Sequence, residues 1–221
     1  MQGWQDEVRI PVGDVELPAD LTMPAGASGV VLFAHGSGSS RHSPRNVAVA
    51  GTLHRHALGT VLVDLLTPAE DEVDARSAEL RFDIGLLASR LAGVVDWLAA
   101  ERPAGTVPIG LFGASTGAAA ALVAAASRAD RVGAVVSRGG RPDLAGDALP
   151  QVRTPTLLLV GGLDDEVITL NERALAELGD VGELRVVPGA THLFEEPGTL
   201  EQVADQAATW FETRLAPTSA S

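Results

Sequence analysis

The chain reads as an α/β protein built on a mostly parallel sheet in three layers, and three observations carry that expectation. Short continuous apolar runs at residues 29–34 (GVVLFA), 60–64 (TVLVD), 108–112 (PIGLF), 132–137 (VGAVVS) and 155–160 (PTLLLV) have the length and β-branched content of buried strands. The segments between them are long enough to hold the helices that parallel strands need as crossovers. The first residues break this rhythm. Residues 7–12 (EVRIPV) and 15–23 (VELPADLTM), joined at Gly13-Asp14, read as an antiparallel hairpin ahead of the main sheet.

Each element follows from its own residues. Pro11 and Pro18 lack the N–H that a ladder uses, which suggests edge strands for the hairpin. The GVVLFA strand runs into His35-Gly36-Ser37-Gly38-Ser39-Ser40, after which Ser43-Pro44 marks an N-cap and first helical position, opening a helix to about Leu58. The TVLVD strand leads to LLTPAEDEVDARS, read as an acidic loop. From about Ala78 to Glu101, Leu80, Ile84, Leu87, Leu91, Val94, Val95 and Leu98 recur at helical spacing, predicting one long amphipathic helix. Ile109, Leu111 and Phe112 form the next strand, and an alanine-rich run after Gly117 with Leu122 and Val123 the next helix. Strands at 132–137, 155–160 and 183–187, helices at about 169–178 and 199–215, and a frayed tail from Ala216 complete the reading.

Composition narrows the function. A chain of 221 residues with 46% hydrophobic residues predicts one domain over 1–215 with a sizeable core. Its net charge is −13, it has no lysine, and all 16 cations are arginine, which argues against nucleic acid and against attraction to anionic lipid. The absence of cysteine removes disulfides, thiolate metal sites and any cysteine nucleophile. The opening MQGWQDEVRI places acids where a signal peptide is basic, and no run reaches membrane-spanning length, so a cytoplasmic location is the simplest expectation.

The chemistry centres on Gly113-Ala114-Ser115-Thr116-Gly117, a G-x-S-x-G between strand and helix. At so sharp a turn the serine backbone is strained and its hydroxyl is pushed into the open, while side chains two residues to either side would collide. The Thr116 amide then lies at a helix N-terminus, where unpaired N–H groups and the dipole favour developing negative charge. In parallel sheets ligands bind beyond the carboxyl ends of the strands. Two residues of complementary chemistry fall there: Asp164 in GGLDDEV and His192 in PGATHLFEEPG. Asp165 and Glu166 compete with Asp164, which the G-x-x-D-x-x-V spacing favours. His35, His42, His54 and His56 are poorer bases: His54 and His56 fall in a predicted helix, His35 ends a buried strand, and His42 has no inferred partner.

A serine hydroxyl becomes a nucleophile when an imidazole takes its proton, and a carboxylate fixes that imidazole's tautomer. Ser115, His192 and Asp164 supply these parts. A second oxyanion amide is expected from the glycine-containing loop after GVVLFA, with Ser37 favoured over Gly38. Arg41, Arg45, Arg138 and Arg141 lie near the same predicted ends, and of these Arg41 and Arg138 are the candidates for holding an anionic part of a substrate. The run Glu70, Asp71, Glu72 and Asp74 lacks a closing ligand pattern and reads as wet surface rather than a metal site.

With the elbow GASTG, the acid in GGLDDEV, the base in GATHLFEEPG and the loop AHGSGSS in hand, the chain resembles the α/β-hydrolase superfamily over nearly its whole length, and within it the dienelactone hydrolase-like group. The resemblance implies an eight-stranded, mostly parallel sheet with the second strand antiparallel. It also implies Ser115 as nucleophile, His192 as base, Asp164 as orienting acid, and the amides of Ser37 and Thr116 as oxyanion hole. Dienelactone hydrolases proper use a cysteine nucleophile, so Ser115 points away from dienelactone and towards a carboxylesterase acting on a small-molecule ester, without metal or organic cofactor. Similar modules also occur fused to phosphoribosyltransferase domains, although no phosphoribosyl-binding segment is visible here. Superfamily caps are inserted after the strand read as VGAVVS. Only the link 138–154 stands there, which predicts no large lid and small soluble acyl groups. A monomer or homodimer is expected.

Two rivals remain at this stage. Gly36-x-Gly38, a helix and Asp64 at the end of TVLVD imitate a dinucleotide fold, but Arg41 takes the third glycine position and a hairpin precedes the strand. A Walker loop would need a lysine. The other rival keeps the fold and changes the role to acyl transfer, perhydrolysis or non-hydrolysing reception of a small ligand.

Overall fold

Eight strands form one sheet in the computed structural model, which describes residues 3–100 and 107–216. The strands are β1 (Trp4–Val12), β2 (Val15–Met23), β3 (Gly29–Ala34), β4 (Leu58–Val63), β5 (Ile109–Ala114), β6 (Val132–Arg138), β7 (Thr156–Gly161) and β8 (Gly182–Val187). Their spatial order is β1-β2-β4-β3-β5-β6-β7-β8. β2 runs antiparallel to both β1 and β4, and every other pairing is parallel. The nucleophile strand β5 therefore sits in the middle of the sheet, flanked by β3 and β6.

The helices are α1 (Pro44–Arg55), α2 (Pro68–Ser77), α3 (Ile84–Ala100), α4 (Thr116–Ser127), α5 (Asp165–Leu178) and α6 (Thr199–Arg214). Every residue of β3, β4, β5 and β7 is buried, as continuous apolar runs covered on both faces must be. Alternate residues feed two cores. Val30 and Leu32 join Leu87, Leu91 and Val95 of α3 and the alanines of α4, whereas Val31 and Phe33 join Leu53 of α1 and Phe211 of α6. Phe33 and Phe112 pack tilted with ring centroids 4.8 Å apart. The alanine run of α4 is explained by its surroundings: Ala118 to Ala121, Ala124 and Ala125 are wholly buried, and small side chains let the helix lie close to both the sheet and α3.

Several local expectations are corrected. β2 is an interior strand, not an edge. Pro18 is tolerated because the ladder to β4 ends there: pairing begins at Ala19 with Val63, and the Pro18 carbonyl accepts the Asp64 N–H. The acidic segment is not a loop but α2. Thr67 and Glu70 form a reciprocal capping box with Pro68 in the first turn, a start signal that outweighs the missing apolar stripe. Glu70 then pairs with Arg90, and Asp74 with Arg81. The long helix starts later than expected, because Ala78 closes α2 at φ 56° and Leu80–Phe82 makes a 3-10 turn before α3; Glu101 lies outside the described residues. The first helix stops at Arg55 so that β4 can begin at Leu58, and α5 begins at Asp165, four residues early. Between β6 and β7 the chain makes only 3-10 turns over Pro142–Gln151, and no large cap is built there. Among the described residues no helix is long and apolar enough to cross a membrane.

Candidate active site

The site begins at the turn from β5 into α4. Ser115 has φ 50° and ψ −121°, a left-handed backbone that a non-glycine residue takes up only when its surroundings impose it. They do so here by crowding. A Cβ on Gly117 would collide with the carbonyl oxygens of Ala34 and His35, and one on Gly113 with the backbone of Ala118. Both glycines are thus fixed by close approach of backbone to backbone. The turn is also tied from outside, since the Ser115 N–H donates to the Arg138 carbonyl at 3.3 Å and its own carbonyl accepts the Arg141 N–H at 3.0 Å.

Asp164 and His192 come together because the turn after β7 packs on the loop after β8. The Leu163 N–H donates to the Ala190 carbonyl and the Gly162 N–H to the Val187 carbonyl, both at 2.9 Å. His192 Nδ1 then lies 2.7 Å from Asp164 Oδ2. Asp165 and Glu166 are exposed at the start of α5. Of the three acids considered, Asp164 is the one that meets the imidazole. The loop bearing His192 is braced by Glu196, whose carboxylate accepts the Thr191 N–H at 3.0 Å and hydroxyl at 2.6 Å. These bonds hold the Glu196 carboxyl below its usual range.

Ser115 and His192 line one cavity of about 230 Å³, together with Gly36, Ser37, Arg45 and Arg138. Thr116 opens α4, so its N–H has no intrahelical acceptor and lies where the dipole is positive. The Ser37 N–H is engaged by the Thr116 hydroxyl at 3.0 Å. Thr116 therefore also ties the loop after β3 to the elbow.

The arginines divide sharply. Arg41 is bound by Asp64, Asp20 and Glu7, and lines a neighbouring cavity of about 180 Å³ rather than the one that holds Ser115. Arg141 pairs with Asp143. Arg138, at the end of β6, is only 7% exposed, and its side chain bonds to the neutral Asn46 Oδ1 at 3.3 Å. Burial, with the charge of nearby Arg45, lowers its pKa to about 10. His35 braces the end of β4 by accepting the Leu65 N–H, His54 bonds to Thr60, His56 lies against Glu212, and His42 is exposed beside Asp20. Sequence reading missed Asn46, Glu196 and Asn171. Asn171 is fully buried and donates to the carbonyls of Gly140 and Val167, supporting the link behind the site. A polar residue on an otherwise apolar helix face was the available signal for it.

Comparison with known proteins agrees with this fold. Residues 68–214 match the dienelactone hydrolase family. The crystal structure of a dienelactone hydrolase from Anabaena variabilis ATCC 29413 superposes with a TM-score of 0.95 at 56% identity, over 97% of this chain and 100% of that one. Est1E from Butyrivibrio proteoclasticus superposes with a TM-score of 0.77 at 18% identity, over 96% and 99%, a likeness of fold. Proteins of Mycobacterium tuberculosis strains CDC 1551 and H37Rv, named provisionally as phosphoribosyl transferases, are 57% identical over 210 residues. That match takes in 95% of this chain and 46% of theirs, so the chain spans about half the length of the curated relatives it matches.

Proposed function

The chain belongs to the dienelactone hydrolase family, and on that premise we propose that it is a serine hydrolase of small, soluble carboxylic esters, working through an acyl-enzyme on Ser115, His192 and Asp164. One observation carries the reading: a histidine held at 2.7 Å by a carboxylate lines the same cavity as a serine on a strained strand-to-helix elbow.

The roles follow from the chemistry of each group. The Asp164 carboxylate accepts a hydrogen bond from His192 Nδ1–H, which leaves Nε2 free to act as a base. Nε2 takes the Ser115 proton as Oγ bonds to the ester carbonyl carbon, and the carbonyl electron pair moves onto oxygen. The Thr116 N–H at the head of α4 stabilises that oxyanion. The Ser37 N–H is the candidate second donor; it donates to the Thr116 hydroxyl and would turn from it to the oxyanion. As the carbonyl re-forms, the alkoxy C–O bond breaks and the imidazolium protonates the leaving alcohol. Water then repeats the sequence on the acyl-enzyme and restores Ser115. Serine in place of the thiolate expected of the family's namesake favours carboxylic esters over dienelactone, and the capless β6–β7 link favours short acyl groups.

Hydrolysis of p-nitrophenyl acetate, butyrate and octanoate by the wild type and by Ser115→Ala tests this. The expected result is turnover that prefers the short esters and falls by ~10³-fold or more in the variant. An inactive wild type that also ignores a fluorophosphonate would move the chain to the receptor role. Product esters formed on adding methanol would reveal acyl transfer.

A further inference from the structure

The sheet ends on β8 with a row of backbone groups that no neighbouring strand takes up. β8 pairs with β7 on one side, and among the described residues no strand lies on the other. The Val187 carbonyl turns inward, accepting the Gly162 N–H at 2.9 Å. Backbone groups alternate in direction along a strand, so those of Glu183 and Arg185 also turn towards β7. The N–H and C=O groups of Gly182, Leu184 and Val186 therefore point out from the free edge. The opposite edge of the sheet is guarded, since β1 carries Pro11 and the adjacent acids Asp6 and Glu7. β8 reads Gly182-Glu183-Leu184-Arg185-Val186-Val187, with no proline and with two charges of opposite sign.

The side chains of β8 divide between the two faces of the sheet. Gly182, Leu184 and Val186 lie on the side of α5, where a Cβ on Gly182 would press on Leu175 and Leu178. Val186 is 45% exposed. Glu183 and Arg185 lie on the side of α6, bonded to each other at 2.7 Å, and Arg185 reaches Gln206 at 3.5 Å.

Two copies that meet at this edge about a two-fold axis pair antiparallel, and the ladder forms only where outward-pointing residues oppose each other. An axis at Glu183 sets that carboxylate against its own copy. One at Arg185 sets arginine against arginine and brings Pro188 opposite Gly182. An axis at Leu184 avoids both conflicts. Leu184 then exchanges bonds with its copy and Gly182 with Val186, so that Val186 covers a position without a side chain. Glu183 faces the second copy's Arg185 on both sides of the axis, at the closely spaced, non-hydrogen-bonded positions where cross-strand side chains interact best. Charges that ordinarily keep an edge unpaired are here complementary to themselves in one register.

We infer that β8 is a homodimerisation strand, joining two copies of this chain antiparallel about Leu184 into one continuous sheet. The carboxyl ends of the two β8 strands then point in opposite directions, and the two Ser115 cavities open on opposite edges of the joined sheet.

Sedimentation equilibrium of the whole chain over about 5–200 μM reads the association, and the wild type is expected to form a dimer in that range. Glu183→Arg alone, or Arg185→Glu alone, sets like charges opposite each other at both pairs and should weaken the dimer by about tenfold or more. Both side chains are partly exposed, so circular dichroism should show an unchanged fold. Equimolar mixing of the two variants should restore a dimer, because one then carries arginine at both positions and the other glutamate at both. The double variant Glu183→Arg/Arg185→Glu should dimerise like the wild type. Hydrogen exchange locates the contact: the Leu184 and Val186 amides should exchange more slowly as the wild-type concentration rises. A wild type that stays monomeric at the highest concentration overturns the proposal and leaves the edge to a strand of another protein. A dimer insensitive to both single substitutions, one not recovered on mixing the variants, or one that leaves the Leu184 and Val186 amides unslowed overturns it as well.

Discussion

Replacing Glu70 with glutamine separates the charge of one half-buried ion pair from the shape around it. Glu70 Oε1 and Oε2 each lie 2.5 Å from an Arg90 guanidinium nitrogen, and Oε2 also accepts the Thr67 N–H and hydroxyl at 2.8 Å. Arg90 is 6% exposed and holds the Leu65 carbonyl at 2.8 Å, so the pair fastens α2 and the loop after β4 to α3. The Arg90 bonds, helped by those from Thr67, hold the Glu70 carboxyl at about 2 against an ordinary 4.5. At about 1.4 kcal/mol for each tenfold change in proton affinity, the ionised carboxylate contributes about 3 kcal/mol to folding. Because the folded value is the lower one, that contribution is complete above about pH 5 and is lost as pH falls towards 2.

Glu70→Gln keeps the volume and an acceptor for the cap, but leaves Arg90 buried without its counter-charge. Urea unfolding at pH 7 should show a loss of about 3 kcal/mol, or about 6–12 °C in melting temperature for a chain of this length. The difference between wild type and variant should shrink at pH 4 and again at pH 3. A gap below about 0.5 kcal/mol at pH 7, or one that does not narrow on acidification, would refute the assignment of the stability to this pair.

Three further perturbations bear on the site. Asp164→Asn keeps the side-chain shape but removes the charge that orients His192, and kcat on a short ester should fall by ~10⁴-fold with little change in KM, read from steady-state kinetics. Gly117→Ala drives a methyl into the Ala34 and His35 carbonyls, so stability should fall by about 1–3 kcal/mol or more by calorimetry, with esterase activity lost in whatever folds. Asn171→Leu leaves the Gly140 carbonyl without its side-chain donor; unfolding should show a loss of about 1–3 kcal/mol, and hydrogen exchange should show faster opening of the link that follows Arg138.

Much of this arrangement is local, and the sequence alone determined it. Five continuous apolar runs separated by helix-length segments dictate a parallel sheet covered on both faces, and all five are strands in it. GASTG announces its elbow because two glycines and a serine at that spacing suit a turn too tight for side chains, and Ser115 at φ 50° is that turn. The capping box of α2 was equally local but went unread, since a helix without an apolar stripe gives periodicity nothing to detect.

Other features depend on distance in space and were decided by tertiary structure. The spacing favours Asp164 over Asp165 and Glu166, but the contact with His192 is made by two loops 28 residues apart and is set by backbone bonds between strand ends. Arg41 and Arg138 look alike in sequence. One folds against three carboxylates and the other against a neutral asparagine in the cavity. An arginine's role is set by which counter-charges reach it over a few ångströms, and the chain brings those together only when the sheet and its helices close around it.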